Sequence, residues 1–340
     1  MFVSGFNLPA MLRLWTTIAL LAGLAVVAVL VALQGYQSVA DELAALGWGI
    51  GLLPLAFLPS LVLIALSWRL LFRPGRLPRL GDLLRAVWMA FSVDTLLPLG
   101  GFGGDVVRVR VLMQGETRGT DAGASVVVNK TVDAIAIVLS ALIGVVFLVA
   151  IEAEDELVSG ALIASALLAF GIAGFIFVQH AGTFGFLARR FGGTRRAGSS
   201  AEMIENAVSM DATIRALYGG PGRIALSVLV RLLARLVLTV ELWLAIALMG
   251  QTITLWDALM LRSLIGALRS AAFFVPGGWG LQEGSFVILG GLIGFPPDIM
   301  LALSLATRVR ELVVSVPGLL AWQHTEGRAL WKRHAAARRR

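Results

Sequence analysis

Runs of about twenty consecutive apolar residues recur along this chain, the length a helix needs to cross the hydrocarbon core of a bilayer. They lie at about Leu14–Leu33, Gly47–Trp68, Ala124–Ile151, Leu157–Val178, Ile224–Met249 and Ile299–Trp322. Apart from isolated charges, the runs are apolar throughout rather than alternating every second residue, so they predict helices and exclude a barrel. Only 14% of the residues are charged and the mean hydropathy is +0.87. Soluble domains carry about 25% charged residues. A chain with so few polar side chains cannot cover a water-facing surface, so lipid must solvate most of it. The fold class expected is all-α: a polytopic integral membrane protein of about six to eight transmembrane helices, one transmembrane domain over residues 1–340.

The loops fix an orientation. Leu14–Leu33 is too long for the apolar core of a signal peptide and reads as a retained helix. The loop after it holds Asp41 and Glu42 without Lys or Arg, whereas Arg69, Arg73, Arg76, Arg79 and Arg85 follow the second run. By the positive-inside rule the arginine loop is cytoplasmic and the Asp41–Glu42 loop lies outside. Downstream loops agree. Glu152, Glu154, Asp155 and Glu156 fall outside, Arg189, Arg190, Arg195 and Arg196 inside, and the basic tail 323–340 inside. Both termini are thus expected in the cytoplasm and the whole in a bacterial inner membrane. The net charge of +7 is explained by this topology, and nucleic acid is not expected as a partner. Residues 200–220 are polar with an apolar stripe, as in an interfacial helix or linker.

Two stretches do not fit simple spans. Residues 86–113 are broken at Pro98-Leu-Gly-Gly-Phe-Gly-Gly104, and residues 255–295 at Pro276-Gly-Gly-Trp-Gly280. Each reads as a helix, a glycine-rich break and a second helix; the first must enter and leave from inside as a re-entrant pair, and the second is either a re-entrant pair or two short crossings. The hinge candidates are Pro98, Gly100, Gly101, Gly103, Gly104, Pro276, Gly277, Gly278 and Gly280. Both breaks place a proline, glycines, an aromatic ring and then a carboxylate (Asp105, Glu283) at similar spacing, and the topology enters them from opposite faces. That is the pattern of an inverted repeat with paired broken helices, a marker of transporter substrate sites; the alternative is coincidence in a chain with 38 glycines.

Charges inside hydrocarbon cost about 2.5–3.5 kcal/mol each on insertion scales, so each needs a partner, water or a task. The candidates are Asp105, Arg108, Lys130, Asp133, Arg231, Arg235, Glu241, Arg269, Glu283, Arg308, Arg310 and Glu311, with Arg262 among them in sequence. Helical spacing puts Arg231 with Arg235, Asn129 with Asp133, and Arg308 with Glu311 on common faces. One reading is that they pair and hold the helices in register, with Arg108 and Arg110 serving as cytoplasmic anchors. The other is that arginine forks beside broken helices, where backbone N–H groups are free, receive an anionic headgroup.

Other chemistry finds no residues. There is no cysteine, and His180, His324 and His334 lack metal-ligand spacing, so neither a metal nor a cofactor is expected. The glycines at 100–104 do not complete a dinucleotide fingerprint, and neither Lys130 nor Lys332 follows a phosphate loop. No nucleophile, histidine and carboxylate stand together, so no catalytic residue is expected. Active transport would need a partner ATPase or an ion gradient.

The run Leu97-Pro-Leu-Gly-Gly-Phe-Gly-Gly-Asp-Val-Val-Arg108, with Asn129-Lys-Thr-Val-Asp133, Val275-Pro-Gly-Gly-Trp-Gly-Leu-Gln-Glu283 and Ala302-Leu-Ser-Leu-Ala-Thr-Arg308, resembles the core of the lysylphosphatidylglycerol synthase/flippase transmembrane-domain family. Arg231-Leu-Leu-Ala-Arg235, Glu241-Leu-Trp243 and Arg308-Val-Arg-Glu-Leu312 are most similar to its hopanoid-biosynthesis-associated branch. The resemblance implies handling or movement of charged lipids between leaflets. The family's two-function members carry a further cytosolic domain that aminoacylates phosphatidylglycerol; this chain is expected to lack it. Where family members often carry an arginine between Ser125 and Asp133, this chain has Asn129-Lys130.

Three functions follow as expectations. The first is a flippase-like protein translocating a polar lipid, hopanoid-related or phospholipid. The second is an integral-membrane lipid-modifying enzyme, for which the carboxylates are too dispersed. The third is a scaffold recruiting lipid-biosynthesis partner proteins through its basic face. Membrane lipids are the expected partners in every case.

Overall fold

A computed structural model describes residues 25, 28–29, 31–33, 36–72, 75, 77–97, 103–115, 117–152, 154–191, 197–271 and 278–337. Among them are twelve helices and no strand: α1 (Tyr36–Ala45), α2 (Leu52–Leu71), α3 (Leu80–Leu96), α4 (Gly103–Gln114), α5 (Gly119–Ala150), α6 (Asp155–His180), α7 (Thr183–Phe191), α8 (Ala197–Tyr218), α9 (Pro221–Leu248), α10 (Leu255–Ala271), α11 (Leu281–Leu292) and α12 (Pro297–Ala337). Most of the expected first span lies outside the described residues, as do Pro98, Gly100, Gly101, Pro276 and Gly277.

Among the described residues, three helical stretches are long and apolar enough to cross a membrane: Gly47–Leu71, Gly119–Ala150 and Val158–His180. The chain is an all-α polytopic membrane protein. Helix α9, with 28 residues, and α12, with 41, are about 42 and 60 Å long. Their apolar character is diluted by the charges described below. Helix α6 turns most of its surface outward, with Ile163, Leu167, Phe170 and Phe177 exposed, as a lipid-facing span must.

The helix before the first break starts at Leu80, earlier than the expected Ala86. The Arg79 carbonyl accepts from the Asp82 and Leu83 amides at 3.0 and 3.2 Å, so the chain passes from extended backbone at Arg79 straight into a helix. Asp82 in its first turn suits the positive end of the helix dipole. Arg85 therefore sits on α3 rather than in a loop.

The architecture is two interlocked halves. Helices α2 and α9 pack along each other in opposite directions: Gly49 lies against Leu248, Ser67 bonds to Ser227 (Oγ to Oγ 3.0 Å), and Arg223 donates to the Phe72 carbonyl. Each of the two is followed by a helical hairpin and a long helix, α3–α4 then α5, and α10–α11 then α12. Helices α4 and α11 each have 12 residues. One interval separates Gly103 from Leu281, which start them, and Gly119 from Pro297, which start α5 and α12. The packing is reciprocal, since α3 lies on α12 and α10 lies on α5. With α2 and α9 antiparallel, the halves are related as an inverted repeat, and helices α6–α8 are inserted between them.

Both reciprocal crossings use a glycine. A Cβ on Gly144 would sit 2.8 Å from Leu264 Cγ, and one on Gly318 would sit 2.1 Å from Ser92 Oγ. Small residues let helices approach closely where lipid offers no hydrophobic drive to associate. Side-chain bonds lock both contacts: Ser140 donates to Ser263 at 3.1 Å, and Trp88 Nε1 to the Val314 carbonyl at 2.9 Å. Gly144→Val and Gly318→Val should each destabilise by about 1–3 kcal/mol through overpacking. Gly160→Val on lipid-facing α6, where nothing lies within 4 Å of an added Cβ, should change little. Thermal unfolding in detergent micelles checks the contrast.

Candidate functional site

At the first break, the chain leaves α3 and re-enters helix at Gly103. Asp94, in the last turn of α3, accepts from the Gly104 amide at 2.8 Å and so satisfies one of the N–H groups that the start of α4 leaves free. The approach is too close for a side chain: a Cβ on Gly104 would meet Asp94 Oδ2 at 2.1 Å and the Ala90 carbonyl at 2.8 Å. Asp105 follows at once. It holds Arg108, one turn on, at 2.7 Å and Lys130 of α5 at 2.7 Å.

The second break shares the carboxylate–cation contact of the first, but its free amide is met from the following helix rather than the preceding one. Gly278 and Gly280 have φ of +64° and +81°, left-handed backbone that suits glycine. Glu283 Oε2 accepts from the Gly280 amide at 2.8 Å, and its Oε1 accepts from Arg308 Nε of α12 at 2.9 Å. The Arg308 guanidinium also donates to the Gly278 carbonyl at 3.1 Å and to Glu311 at 3.2 Å, and lies 4.4 Å from the Trp279 ring centroid. Arg269 donates to Gln282 at 2.7 Å and to Glu311 at 2.5 Å. Gln282 in turn donates to Ser304 and Thr307.

The correspondence is residue by residue. The interval between Asp105 and Glu283 also separates Lys130 from Arg308 and Asp133 from Glu311. The ion pairs Asp105–Lys130 and Glu283–Arg308 are therefore equivalent contacts in the two halves.

Helix α9 joins the two clusters. Arg231 donates to Asn129 at 2.6 Å, and the guanidinium groups of Arg231 and Arg235 each stand 3.7 Å from Asp133 Oδ1. Further along, Arg310 donates to Glu241 at 2.8 Å over the face of Phe57. Arg262 is within Coulombic range of Glu241, Arg310, Arg235 and Arg269. Arg110 is held apart from this group, paired with Glu326. The twelve charged candidates thus fall in one continuous belt through the bundle. With Arg262 and Asp94 added, eight cationic groups face six carboxylates.

Some donors in the belt have no acceptor. The Nε groups of Arg108 and Arg235 are buried without a hydrogen-bond partner. Arg69 Nε and Ser315 Oγ, outside the belt, are unmet in the same way, so the belt is set apart by its surplus of cations rather than by these two donors. The belt is also unevenly accessible. Lys130 and Asp133 keep 40% and 41% of their side-chain surface exposed, whereas Arg308, Glu311 and Glu283 keep 6%, 3% and 0%.

Sequence reasoning overlooked Asp94 and Gln282. Asp94 carried a signal: it is a lone carboxylate closing an apolar run just ahead of a glycine break. Gln282 carried none, since its role follows from the proximity of Arg269, Ser304 and Thr307. Beyond the belt, Thr131, Gln179 and Tyr218 form a polar triad tying α5 to α6 and α8.

The buried Glu241–Arg310 pair offers a clean energetic test. Glu241→Leu or Arg310→Met alone strands a buried charge and should cost about 3–5 kcal/mol, whereas the double substitution should recover most of the loss. A double-mutant cycle on thermal unfolding in micelles reads this directly.

Comparison with protein families matches residues 20–318 to the family described as Lysylphosphatidylglycerol synthase TM region, and the chain belongs to that family. Comparisons with curated proteins and with solved structures give no match.

Proposed function

We propose that this member of the lysylphosphatidylglycerol synthase transmembrane family translocates a polar lipid with an anionic headgroup, a phospholipid or hopanoid-related lipid, across a bacterial inner membrane. The observation that carries this reading is the surplus of cationic groups in the belt, eight against six carboxylates, with Lys130 accessible among them. A phosphate or carboxylate oxygen meets such donors with charge-assisted hydrogen bonds, and the planar guanidinium forks suit its geometry. Arg231 and Arg235 hold Asp133 only loosely, at 3.7 Å, so a headgroup oxygen can take its place without breaking a tight pair.

Room for the hydrocarbon part supports the same reading. A cavity of about 500 Å³ between α5, α6, α10 and α11 is lined by apolar and small side chains, among them Leu148, Ala164, Leu264 and Ile288, and reaches Gly280 at the second break. In this reading the headgroup follows the belt while the tails stay in apolar surroundings, so the charge never enters bare hydrocarbon. The alternation of acidic and basic loops supports cytoplasmic termini.

The test is lipid movement in liposomes reconstituted with the purified protein, followed with fluorescent phosphatidylglycerol and an impermeant quencher. The protein should speed inter-leaflet exchange, and Arg235→Gln and Lys130→Gln should each slow it at least tenfold while still inserting as a monodisperse species. Equal rates for the variants and the unaltered chain would remove the belt from the mechanism. A scaffold instead would tolerate both substitutions and fail on loss of the arginines of the α2–α3 loop.

A further inference from the structure

We propose that the two ion clusters are two copies of one headgroup site that open in alternation: Asp105–Lys130–Asp133 is open in this structure and Glu283–Arg308–Glu311 is its sealed counterpart. The inference rests on the translocation reading above and gives it a mechanism.

Three observations carry it. First, the clusters are equivalent by position in an inverted repeat, with the same carboxylate–cation contact at the start of α4 and of α11. Second, equivalent groups differ sharply in access, Lys130 at 40% against Arg308 at 6%, and Asp133 at 41% against Glu311 at 3%. Lys130 and Asp133 lie well inside the 32-residue span α5. A charge facing lipid there is costly, so their open surface belongs to a water-accessible vestibule. Third, an inverted repeat has a second arrangement in which the halves trade roles. Exchanging the conformations of the halves would seal the Lys130 cluster and open the Arg308 cluster toward the opposite face of the membrane.

The contacts that must change are the reciprocal ones, α10 on α5 and α3 on α12. The antiparallel α2–α9 pair, shared by both halves, stays as the frame. In each state the exposed cluster takes an anionic headgroup, and the sealed one holds its carboxylate–cation pairs.

The chain lends itself to a direct test because it has no cysteine and two lysines. Two serine pairs stand at nearly the same distance, Ser140 with Ser263 at 3.1 Å across the α5–α10 contact, and Ser67 with Ser227 at 3.0 Å in the central pair. Each is replaced by cysteines and oxidised in membranes. Access is read at Lys130 and, in an Arg308→Lys background, at position 308, as amidination by a small imidoester measured by peptide mass spectrometry.

In the reduced protein Lys130 should react readily and position 308 slowly. Oxidising Ser140→Cys/Ser263→Cys should leave Lys130 reactive, cut labelling at position 308 at least tenfold and stop lipid movement, all restored by reductant. Oxidising Ser67→Cys/Ser227→Cys should change neither labelling rate. Labelling at position 308 that is absent in the reduced protein, or unaffected by the α5–α10 crosslink, overturns the exchange. Should Arg308→Lys fail to insert, Ser304→Cys, one turn away and near-isosteric, gives the same readout in the otherwise unaltered chain. Slow reaction with a small thiol reagent supports exchange, and an inert thiol refutes it. Labelling needs no transport assay. Alternation without lipid movement would refute the translocation reading alone, and lipid movement without alternation would refute this proposal alone.

Discussion

Burying charge where water is scarce is the constraint on which this structure depends. Separating a guanidinium or a carboxylate from water costs several kcal/mol even after relaxation, and the cost is offset only when partners satisfy the remaining donors and acceptors. Fourteen such groups stand in the interior belt. The helices are arranged so that cations on α4, α5, α9, α10 and α12 meet carboxylates on α3, α4, α5, α9, α11 and α12. Apolar packing alone would not choose this arrangement, because lipid solvates a leucine as well as a neighbouring helix does. The ion pairs, with the glycine crossings, select one packing from many.

The broken helices follow from the same constraint. A helix that starts or ends inside the membrane leaves backbone groups without partners, and each must be met locally. Asp94 meets the Gly104 amide, Glu283 meets the Gly280 amide, and Arg308 meets the Gly278 carbonyl. The breaks thus recruit charged side chains, the charges recruit counter-charges on the long helices, and a polar path through an apolar bundle results.

Much of this was legible in the sequence. The three most apolar spans, both helix breaks and the charged residues all announce themselves, because each is a departure from a strong local expectation. Helical spacing even placed Arg231 and Arg235 on one face, where they share Asp133. Partner choice was not legible. Glu283 stands close in sequence to Arg269 but pairs with Arg308, while Arg269 reaches Glu311. Those choices depend on how α10, α11 and α12 meet, which one chain read alone does not encode locally. The start of α3 differs for a simpler reason: Arg85 reads as a loop cation, whereas the helix that begins at Leu80 carries it in its second turn.

The two halves also differ in a way that bears on their energetics. Asp105, Lys130 and Asp133 are matched in the second half by Glu283, Arg308 and Glu311. Each carboxylate there is longer by one methylene, and a fork-shaped guanidinium replaces a point-charge ammonium. Longer acids reach their partners, and arginine bonds several acceptors at once: Glu283, Glu311 and the Gly278 carbonyl. Lysine cannot reproduce that geometry, so the first cluster closes less completely than the second. The sequence therefore biases the pair toward the arrangement seen, with the arginine cluster sealed. For exchange to proceed, that bias must stay within the few kcal/mol that differential headgroup binding can supply. Asp133, held by two arginines at 3.7 Å rather than by a short bond, is where the balance is most easily tipped, since an incoming anion there gains two guanidinium partners and displaces only a weak one.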